Sequence, residues 1–332
     1  MAEKQQKPER KHTLAHRVEY ALARGMETAV SMLPERAADR LGAGLGHLIH
    51  SPLKIRRGVV EENLRLAFPD ASPAWIERTA DGCYAHLGRE ATAMLRLSKL
   101  DPQAVVERTV THGWDEMNEA LEGGRGVILV TGHYGNWEIA AATVASRGVP
   151  IGAIVRRQGN RLVDARLNDL RRRLGVETIY QSEAPSRVPR LLRRNGVVGI
   201  VGDQDARRAG VFVPFFGRPA STHRGPALFA LKLGAAVFSC VARRQAGADV
   251  RYDVIGERVP VARTDDLDAD VRTLTAELAA RLEAQVRVAP EQYFWFHRRW
   301  KTKPPRELEA AAGGIPRGDG EGSDSASEDG QA

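Results

Sequence analysis

Cysteine is scarce in this chain of 332 residues, which contains only Cys83 and Cys240. The two lie far apart and form no Cys-x-x-Cys pair, so the sequence excludes a disulfide-stabilised scaffold and a zinc ribbon. Cysteines of this kind are typical of a reducing compartment. Aromatic residues are also few, at 6%, but 42% hydrophobic and 27% charged residues predict a globular protein with a real core.

Long apolar runs are absent as well. No stretch approaches the roughly 18 apolar residues that a membrane-spanning helix needs. No apolar segment follows the polar start, so we expect no cleaved signal peptide. The sequence also lacks a GxxxxGK[ST] loop and a GxSxG turn, which argues against a P-loop NTPase and a serine hydrolase.

Charge is plentiful but unevenly distributed. The chain carries a net +7, although residues 306–332 hold two arginines and seven acidic residues and are therefore net −5. The preceding residues accordingly carry +12. A body of this charge attracts anionic partners such as nucleic acid, membrane headgroups, acidic proteins or phosphorylated substrates.

The sequence pattern divides the chain into four parts. Residues 1–12 form a charged start that we predict to be flexible, and residues 306–332 predict a disordered acidic tail. Residues 13–110 have helical periodicity throughout. Their first helix is amphipathic, and its apolar stripe fits either packing against a core or lying on a membrane surface. In residues 111–305 short apolar runs begin to alternate with helical patterns, which predicts a separate α/β domain.

In that domain, short apolar runs alternate with helical patterns. The runs are Val127–Val130, Ile151–Val155, Val176–Ile179, Val197–Val201 and Ala236–Val241. This alternation predicts an α/β fold with a mostly parallel central sheet and helices on both faces, preceded by the N-terminal helical region. The segment 251–259 predicts an additional edge strand.

The most informative motif is the turn that follows the first of these runs. His133 lies in a Gly- and Asn-rich turn, and Glu138 lies five residues later, near the start of a helix that Asn136 is suited to cap. The two would not face one another on a regular helix. If His133 lies in the turn itself, Glu138 can hold one imidazole nitrogen as N–H, leaving the other to take a proton from a hydroxyl. Alternatively, the histidine caps its own turn, and the glutamate lies at the helix N-terminus, where the helix dipole stabilises its negative charge.

Two further groups follow predicted strands and would lie at the same sheet edge. Asp203, Gln204 and Asp205 could hydrogen-bond the hydroxyls of an acceptor or hold a cation, although aspartates also favour such turns for local reasons. Arg156 directly follows another strand. A zinc site is less well supported, because the sequence has no HExxH motif and no cysteine near His133.

Four segments together resemble the late acyltransferase family of lipid A biosynthesis, within the larger group of glycerolipid acyltransferases with a His-x4-Asp/Glu motif. The resemblance covers about residues 15–305, and the last segment makes it specific. These segments are Thr131–Glu138, Gly202–Asp205, Val211–Gly217 and Ala289–Thr302.

The resemblance implies transfer of a fatty acyl group from an acyl thioester, on acyl carrier protein or coenzyme A, to a hydroxyl of a lipid A-type glycolipid. It makes His133 the general base and Glu138 its orienting partner, and it places Arg156, Arg171 and Asp203 near the site. It implies no metal or organic cofactor. It also implies peripheral or monotopic association with an anionic membrane surface, at the cytoplasmic face of a bacterial inner membrane.

Other functions remain open at this level. A phosphatidylinositol-mannoside-type or other glycolipid acyltransferase shares the His-x4-acid turn and a similar segment at 225–228. The basic charge alone would also suit a nucleic-acid-binding protein, although no recognised module is present and we expect no nucleic-acid partner. The Asp203–Asp205 turn would suit a metal-assisted glycosyltransferase. Both rank below the acyltransferase.

Overall fold

The computed structural model describes residues 13–305, so the predicted flexible start and acidic tail lie outside the described residues. Capping residues set the starts of three N-terminal helices: Thr13, Ser72 and Asp101 each accept a hydrogen bond from a backbone N–H three residues later. The N-terminal helices are α1 (Leu14–Met32), α2 (Glu35–His50), α3 (Arg57–Ala67), α4 (Pro73–Leu95) and α5 (Pro102–Arg108).

Glycines allow α2 and α4 to pack closely enough for their backbones to touch. A Cβ atom on Gly46 would lie 2.0 Å from the carbonyl oxygen of Tyr84, and one on Gly88 would lie 1.9 Å from that of Gly42. Only a residue without a side chain fits at such a crossing. The opposite face of α2 leaves Leu41, Leu45 and Leu48 exposed.

The rest of the chain forms a seven-stranded sheet and a separate two-stranded hairpin. The sheet order is β1-β9-β8-β2-β5-β3-β4, and only the β8–β9 pairing is antiparallel. The strands are β1 (Thr109–His112), β2 (Val127–Thr131), β3 (Ile151–Val155), β4 (Val176–Tyr180), β5 (Val197–Val201), β6 (Val211–Phe215), β7 (Arg218–Thr222), β8 (Ala236–Arg244) and β9 (Tyr252–Val259). The helices among them are α6 (Trp114–Glu122), α7 (Trp137–Ala145), α8 (Arg161–Arg173), α9 (Ala184–Arg193), α10 (Gly225–Leu233) and α11 (Leu267–Val288).

Helices cover both faces of the sheet, which confirms the predicted α/β class and its N-terminal helical region. Both faces of strand β2 are buried, which explains its unbroken apolar sequence. Val127 and Leu129 belong to one buried cluster with α7 and α8. Ile128 and Val130 belong to another cluster with α9, α10 and α11. A strand buried on both faces has no solvent-exposed face, so its apolar residues do not alternate with polar ones. The division at residue 110 into separate domains stays a prediction.

Three features of the fold differ from the sequence-based expectation. The segment around residues 252–259 is a strand, but β9 lies inside the sheet and the short β1 forms the edge. The hairpin β6–β7 was not predicted, because Pro214 and the polar strand β7 obscure the alternation of a strand pair. The short helix α6 was also not predicted, because its nine residues span little more than two helical turns.

The topology fixes where a site can form. Strands β2, β5 and β3 are neighbours and run in one direction, with Thr131 opposite Val201 at their carboxyl ends. The chain segments after these strands therefore meet at one edge, where open α/β sheets bind their ligands. None of the helices within residues 13–305 is both long and apolar enough to cross a membrane.

Candidate active site

The turn after β2 is held rigidly by the backbone around it. Gly135 has a φ of +56°, and a Cβ atom there would lie 1.9 Å from the carbonyl oxygen of Ala242. The N–H of Gly135 donates to the carbonyl oxygen of Gln292 at 3.0 Å, and the N–H of Asn136 donates to that of Ala242 at 2.9 Å. The Asn136 side chain accepts from the N–H of Ile139 at 3.0 Å, which confirms the predicted helix cap.

His133 projects from this turn against Asp203. Its Nδ1 lies 2.7 Å from Oδ1 of Asp203, and its backbone N–H donates to Oδ2 of the same carboxylate at 3.0 Å. Asp203 is almost fully buried, whereas 24% of the His133 side chain remains exposed. The pairing follows from the topology, because the two residues leave adjacent parallel strands at the same edge.

The electrostatics of this pair fix the tautomer of His133. Burial alone would raise the pKa of Asp203, but the adjacent imidazole lowers it to about 2. An ionised carboxylate only accepts hydrogen bonds, so Nδ1 of His133 carries the proton and Nε2 keeps its lone pair. Burial alone would lower the pKa of His133, but the charge of Asp203 and its hydrogen bond together outweigh burial and raise that pKa above its ordinary value.

Glu138 does not contact His133 in this arrangement; no hydrogen bond joins them within residues 13–305. Its carboxylate binds the guanidinium of Arg171 at two points, with Nη2 at 2.6 Å and Nε at 3.0 Å. Both side chains are largely buried. The position beside the imidazole, expected for Glu138, is therefore occupied by Asp203. Arg171, which the resemblance places near the site, projects its guanidinium from α8 to Glu138 on α7.

The remaining predicted residues divide into two groups. Gln204 lies next to His133, with its Nε2 3.4 Å from Nε2 of the imidazole. Asp205 turns toward the C-terminal segment, where its N–H donates to Nε2 of His297 at 3.0 Å and its Oδ2 accepts from Thr302 at 2.8 Å. Arg156 follows β3 at the same edge and is exposed; among the residues described it forms no ion pair.

Three further basic side chains, of which only Arg299 is fully buried, lie near the pair. Partial desolvation lowers the pKa of His223 and His297, and burial lowers that of Arg299. Arg299 donates to the carbonyl oxygen of Ser221 at 2.7 Å and to the hydroxyl of Thr222 at 2.6 Å. Across residues 13–305, three or more His, Cys, Asp or Glu side chains nowhere group closely enough to hold a metal ion.

A small cavity lies behind Asp203, between the sheet and helices α10 and α11. Its volume is about 30 Å³, and its walls are mainly apolar. Thr131 and Gly132 form its end near His133, and Leu278 and Leu282 line it on the α11 side. This space is too small for a fatty acyl chain unless the helices move.

Comparison with known proteins assigns the chain to a family. The family model for bacterial lipid A biosynthesis acyltransferase matches residues 4–302. The chain belongs to this family. It is 28% identical over 282 residues to the lipid A biosynthesis lauroyltransferase of Escherichia coli K12, a match covering 84% of this chain and 90% of the relative.

Other relatives act on two kinds of lipid according to their names. A phosphatidylinositol mannoside acyltransferase of Mycolicibacterium smegmatis is 27% identical over 292 residues, covering 86% of this chain and 92% of the relative. The lipid A biosynthesis myristoyltransferase of Escherichia coli K12 is 26% identical, covering 84% and 86%. The chain is therefore an acyltransferase of the lipid A or glycolipid type, which sets aside the nucleic-acid and glycosyltransferase alternatives.

Residues outside the predicted set also contact the site of this acyltransferase. Gln292 holds the turn, the Phe294 ring lies 5.9 Å from that of His133, and His297 holds Asp205. All three fall in the segment 289–302, which carried the family resemblance without an assigned role. The Trp137 ring also packs edge-on against His133, with centroids 5.0 Å apart.

Proposed function

We propose that this acyltransferase moves a fatty acyl group from an acyl thioester to a hydroxyl of a glycolipid, with His133 as general base. The observation that carries the proposal is the contact between His133 and Asp203. It holds the proton of the neutral imidazole on Nδ1 and leaves Nε2, beside Gln204, with its lone pair. The donor is acyl carrier protein or acyl coenzyme A, and the acceptor is a lipid A-type glycolipid.

The reaction proceeds in two balanced steps. Nε2 of His133 takes the proton of the acceptor hydroxyl as its oxygen attacks the thioester carbonyl carbon. The tetrahedral intermediate then expels the thiolate, which receives that proton from Nε2, so the products are an ester and a thiol. Asp203 stabilises the imidazolium formed between these steps, as an orienting carboxylate does in hydrolase triads.

The hydrogen bonds around the turn indicate which groups could hold the substrate. The backbone N–H groups of Tyr134, Gly135 and Asn136 are all hydrogen-bonded within the protein, so they are not free to stabilise an oxyanion. We assign stabilisation of the oxyanion instead to Gln204, whose side-chain amide lies next to Nε2 of His133. Arg156 is placed to bind an anionic group of either substrate. Glu138 and Arg171 position α7 against α8.

We place the enzyme on an anionic membrane at the cytoplasmic face of the bacterial inner membrane, where acyl carrier protein and coenzyme A thioesters are available. Ten of the fifteen exposed large hydrophobic side chains within residues 13–305 lie between Leu14 and Ile55. The Asn160 side chain at the start of α8 donates to the carbonyl oxygen of His16 at 2.8 Å, which places α1 near the edge that holds His133. Bilayer contact through α1 and α2 would bring that edge to a lipid acceptor.

A second acceptor class has specific support. The phosphatidylinositol mannoside acyltransferase is covered over 92% of its length, as fully as the lipid A relatives. Both acceptor classes are glycolipids that carry hydroxyl groups, so the same base could serve either. The test uses purified protein, acyl carrier protein or coenzyme A thioesters, and each acceptor class in turn.

Mass spectrometry then reads the acyl increment on the acceptor. We expect transfer to one acceptor class, and a loss of about 10²–10⁴-fold in His133→Ala. His112→Ala is the matched control, because His112 lies half exposed on β1, three strands away from β2. Wild-type rates in His133→Ala, or absence of transfer to both acceptor classes from both donors, would refute the proposal.

A further inference from the structure

One side chain of the His133 turn joins it to the N-terminal helices. Asn136 caps α7 with its Oδ1, and its Nδ2 donates to Oε2 of Glu90 at 2.7 Å. Glu90 lies on α4, outside the α/β part of the chain, and only 12% of its side chain is exposed. Both the oxygen and the nitrogen of the Asn136 side-chain amide are therefore hydrogen-bonded, three residues after His133.

Glu90 is itself held by a buried network. Its carboxylate accepts from Nη1 of Arg244 at 3.1 Å and from the hydroxyl of Tyr252 at 3.0 Å. Arg244 continues to Asp39 on α2, with Nη2 at 2.6 Å from Oδ1. Burial would lower the pKa of Arg244, but Glu90, Tyr252 and Asp39 together outweigh burial and raise that pKa. The carboxylate of Glu90 thus has three donors and little contact with water.

The same network reaches the other side of the turn. The side chain of Gln292 accepts from the backbone N–H of Arg244 at 2.8 Å and donates to its carbonyl oxygen at 2.9 Å. The carbonyl oxygen of Gln292 accepts from the N–H of Gly135. Arg244 therefore connects to the turn by two routes, through Glu90 to Asn136 and through Gln292 to Gly135.

We propose that Glu90 is a positioning residue for acyl transfer: through Asn136 it holds the turn so that His133 meets both Asp203 and the substrate. The inference rests on the proposed role of His133. The physical reason is that a small displacement of a general base costs much of its rate, because proton transfer needs hydrogen-bonding distance. A carboxylate is suited to this position because it accepts from several donors at once.

The first test is Glu90→Gln. The side chain keeps its size, but one of its two acceptor oxygens becomes an NH2 donor, which would face either Asn136 or Arg244. We expect kcat to fall about 10²-fold with a nearly unchanged KM. The control is Asp270→Asn, which alters another buried carboxylate that accepts from the N–H and hydroxyl of Thr264 at 2.8 Å, at the opposite edge of the sheet. This control should lose stability but keep its kcat.

The second test reverses the polarity of the hydrogen bond. Asn136→Asp alone places two carboxylates face to face and should lower kcat at least as much as Glu90→Gln. When Glu90→Gln and Asn136→Asp are combined, the new amide on α4 can donate to the new carboxylate in the turn, so the contact is restored in the opposite direction. We expect the double variant to recover about tenfold or more of the lost kcat, a coupling that independent sites do not show.

The third test separates positioning from an electrostatic effect and from misfolding. Glu90→Asp keeps the charge beside Arg244 but shortens the reach to Asn136, so kcat should fall in a protein whose circular dichroism is unchanged. The acid limb of the pH–rate profile should stay in place, because Asp203 still faces His133. A shifted limb would overturn the proposal, since Glu90 would then act through charge.

Two further outcomes would also overturn it. One is a kcat for Glu90→Gln and Glu90→Asp equal to that of Asp270→Asn, and the other is a double variant no more active than either single one. Wild-type protein without transfer activity would instead refute the proposed function. The two failures are therefore distinguishable.

Discussion

Asp203 contacts His133 at two atoms, although the two residues lie seventy positions apart in the sequence. Its Oδ1 lies 2.7 Å from the ring Nδ1, and its Oδ2 lies 3.0 Å from the backbone nitrogen. The carboxylate therefore sets both the rotation of the imidazole and the position of the turn that carries it. This contact connects two neighbouring strands at the edge where the chemistry is proposed, and it makes the pH dependence of the enzyme predictable.

The first prediction concerns that pH dependence. His133 must be neutral to act as a base, and its raised pKa means that kcat/KM falls with decreasing pH at a point above 6.5, the ordinary value for histidine. In Asp203→Asn the attraction is lost while burial remains, so the pKa of His133 drops and the limb moves to lower pH. We also expect the plateau to fall about 10²-fold or more, because the tautomer is no longer fixed.

The measurement is kcat/KM between pH 5 and 9 at constant ionic strength, for wild type and Asp203→Asn. Because the pKa of Asp203 is about 2, its own titration lies outside this range. A limb that stays in place in the variant would show that another group controls the ionisation of His133.

The second prediction concerns Glu138 and Arg171. Glu138→Gln leaves a buried guanidinium without its counter-charge, which typically costs about 3–5 kcal/mol of unfolding free energy. Glu138→Gln combined with Arg171→Met should lower the unfolding free energy less, because the double variant contains neither buried charge. The acid limb should not move, since Asp203 still faces His133.

Equilibrium urea denaturation measures these costs. Asp169→Asn on the same helix as Arg171 is the control: it removes an exposed ion pair with Arg172 and should change stability by less than about 1 kcal/mol. A shift of the acid limb in Glu138→Gln would restore the original expectation that Glu138 orients the imidazole.

The third prediction concerns the crossing of α2 and α4. Gly88→Ala forces a Cβ atom into the backbone of Gly42, and overpacking of this kind costs about 1–3 kcal/mol. Gly44 lies on the exposed side of α2 with no atom within 4 Å of its Cβ position, so Gly44→Ala should stabilise by about 0.4–1 kcal/mol. Thermal denaturation of both variants should therefore give shifts of opposite sign, and two shifts of the same sign would contradict the helix crossing.

The fourth prediction concerns the exposed stripe of α1. Val18→Ser and Leu22→Ser together remove apolar side chains that are 50% and 63% exposed. If these contact the bilayer, binding to vesicles with anionic lipids should weaken about tenfold or more, since each apolar side chain contributes of the order of 1.5–3 kcal/mol when fully buried.

Co-sedimentation with vesicles measures this effect. Val110→Ser is the matched control, because Val110 is 47% exposed on the edge strand β1, outside the stripe. Equal binding of both variants and wild type would place the bilayer contact elsewhere, and a concentration-dependent change in mass would indicate that α1 contacts a second copy of the chain.

Elements buried on both sides could be located from the sequence with good accuracy. Strands β3 and β5 occupy the predicted ranges, and helix α7 begins after its predicted cap, Asn136. Strand β1 and the hairpin β6–β7 could not, because four residues or a strand with an internal proline carry too little periodicity. Their positions depend on the partner strands rather than on their own residues.

The candidate site shows the same limit more sharply. Local sequence placed His133 in a turn at a sheet edge and offered Glu138 as its partner, because only nearby residues can be paired by spacing. The order of strands in the sheet, which spacing does not encode, brought Asp203 to the imidazole instead and directed Glu138 to Arg171.

Local patterns along the chain were enough to establish the fold class, the family resemblance and the residue proposed to carry the chemistry, because apolar periodicity and the motif around His133 are short-range features. The acid that holds this histidine, and the connection of Glu90 on a distant helix to the same turn, emerged only when the chain was folded. Such contacts depend on how strands and helices pack across the whole chain, and packing is a property of the folded state rather than of any short segment.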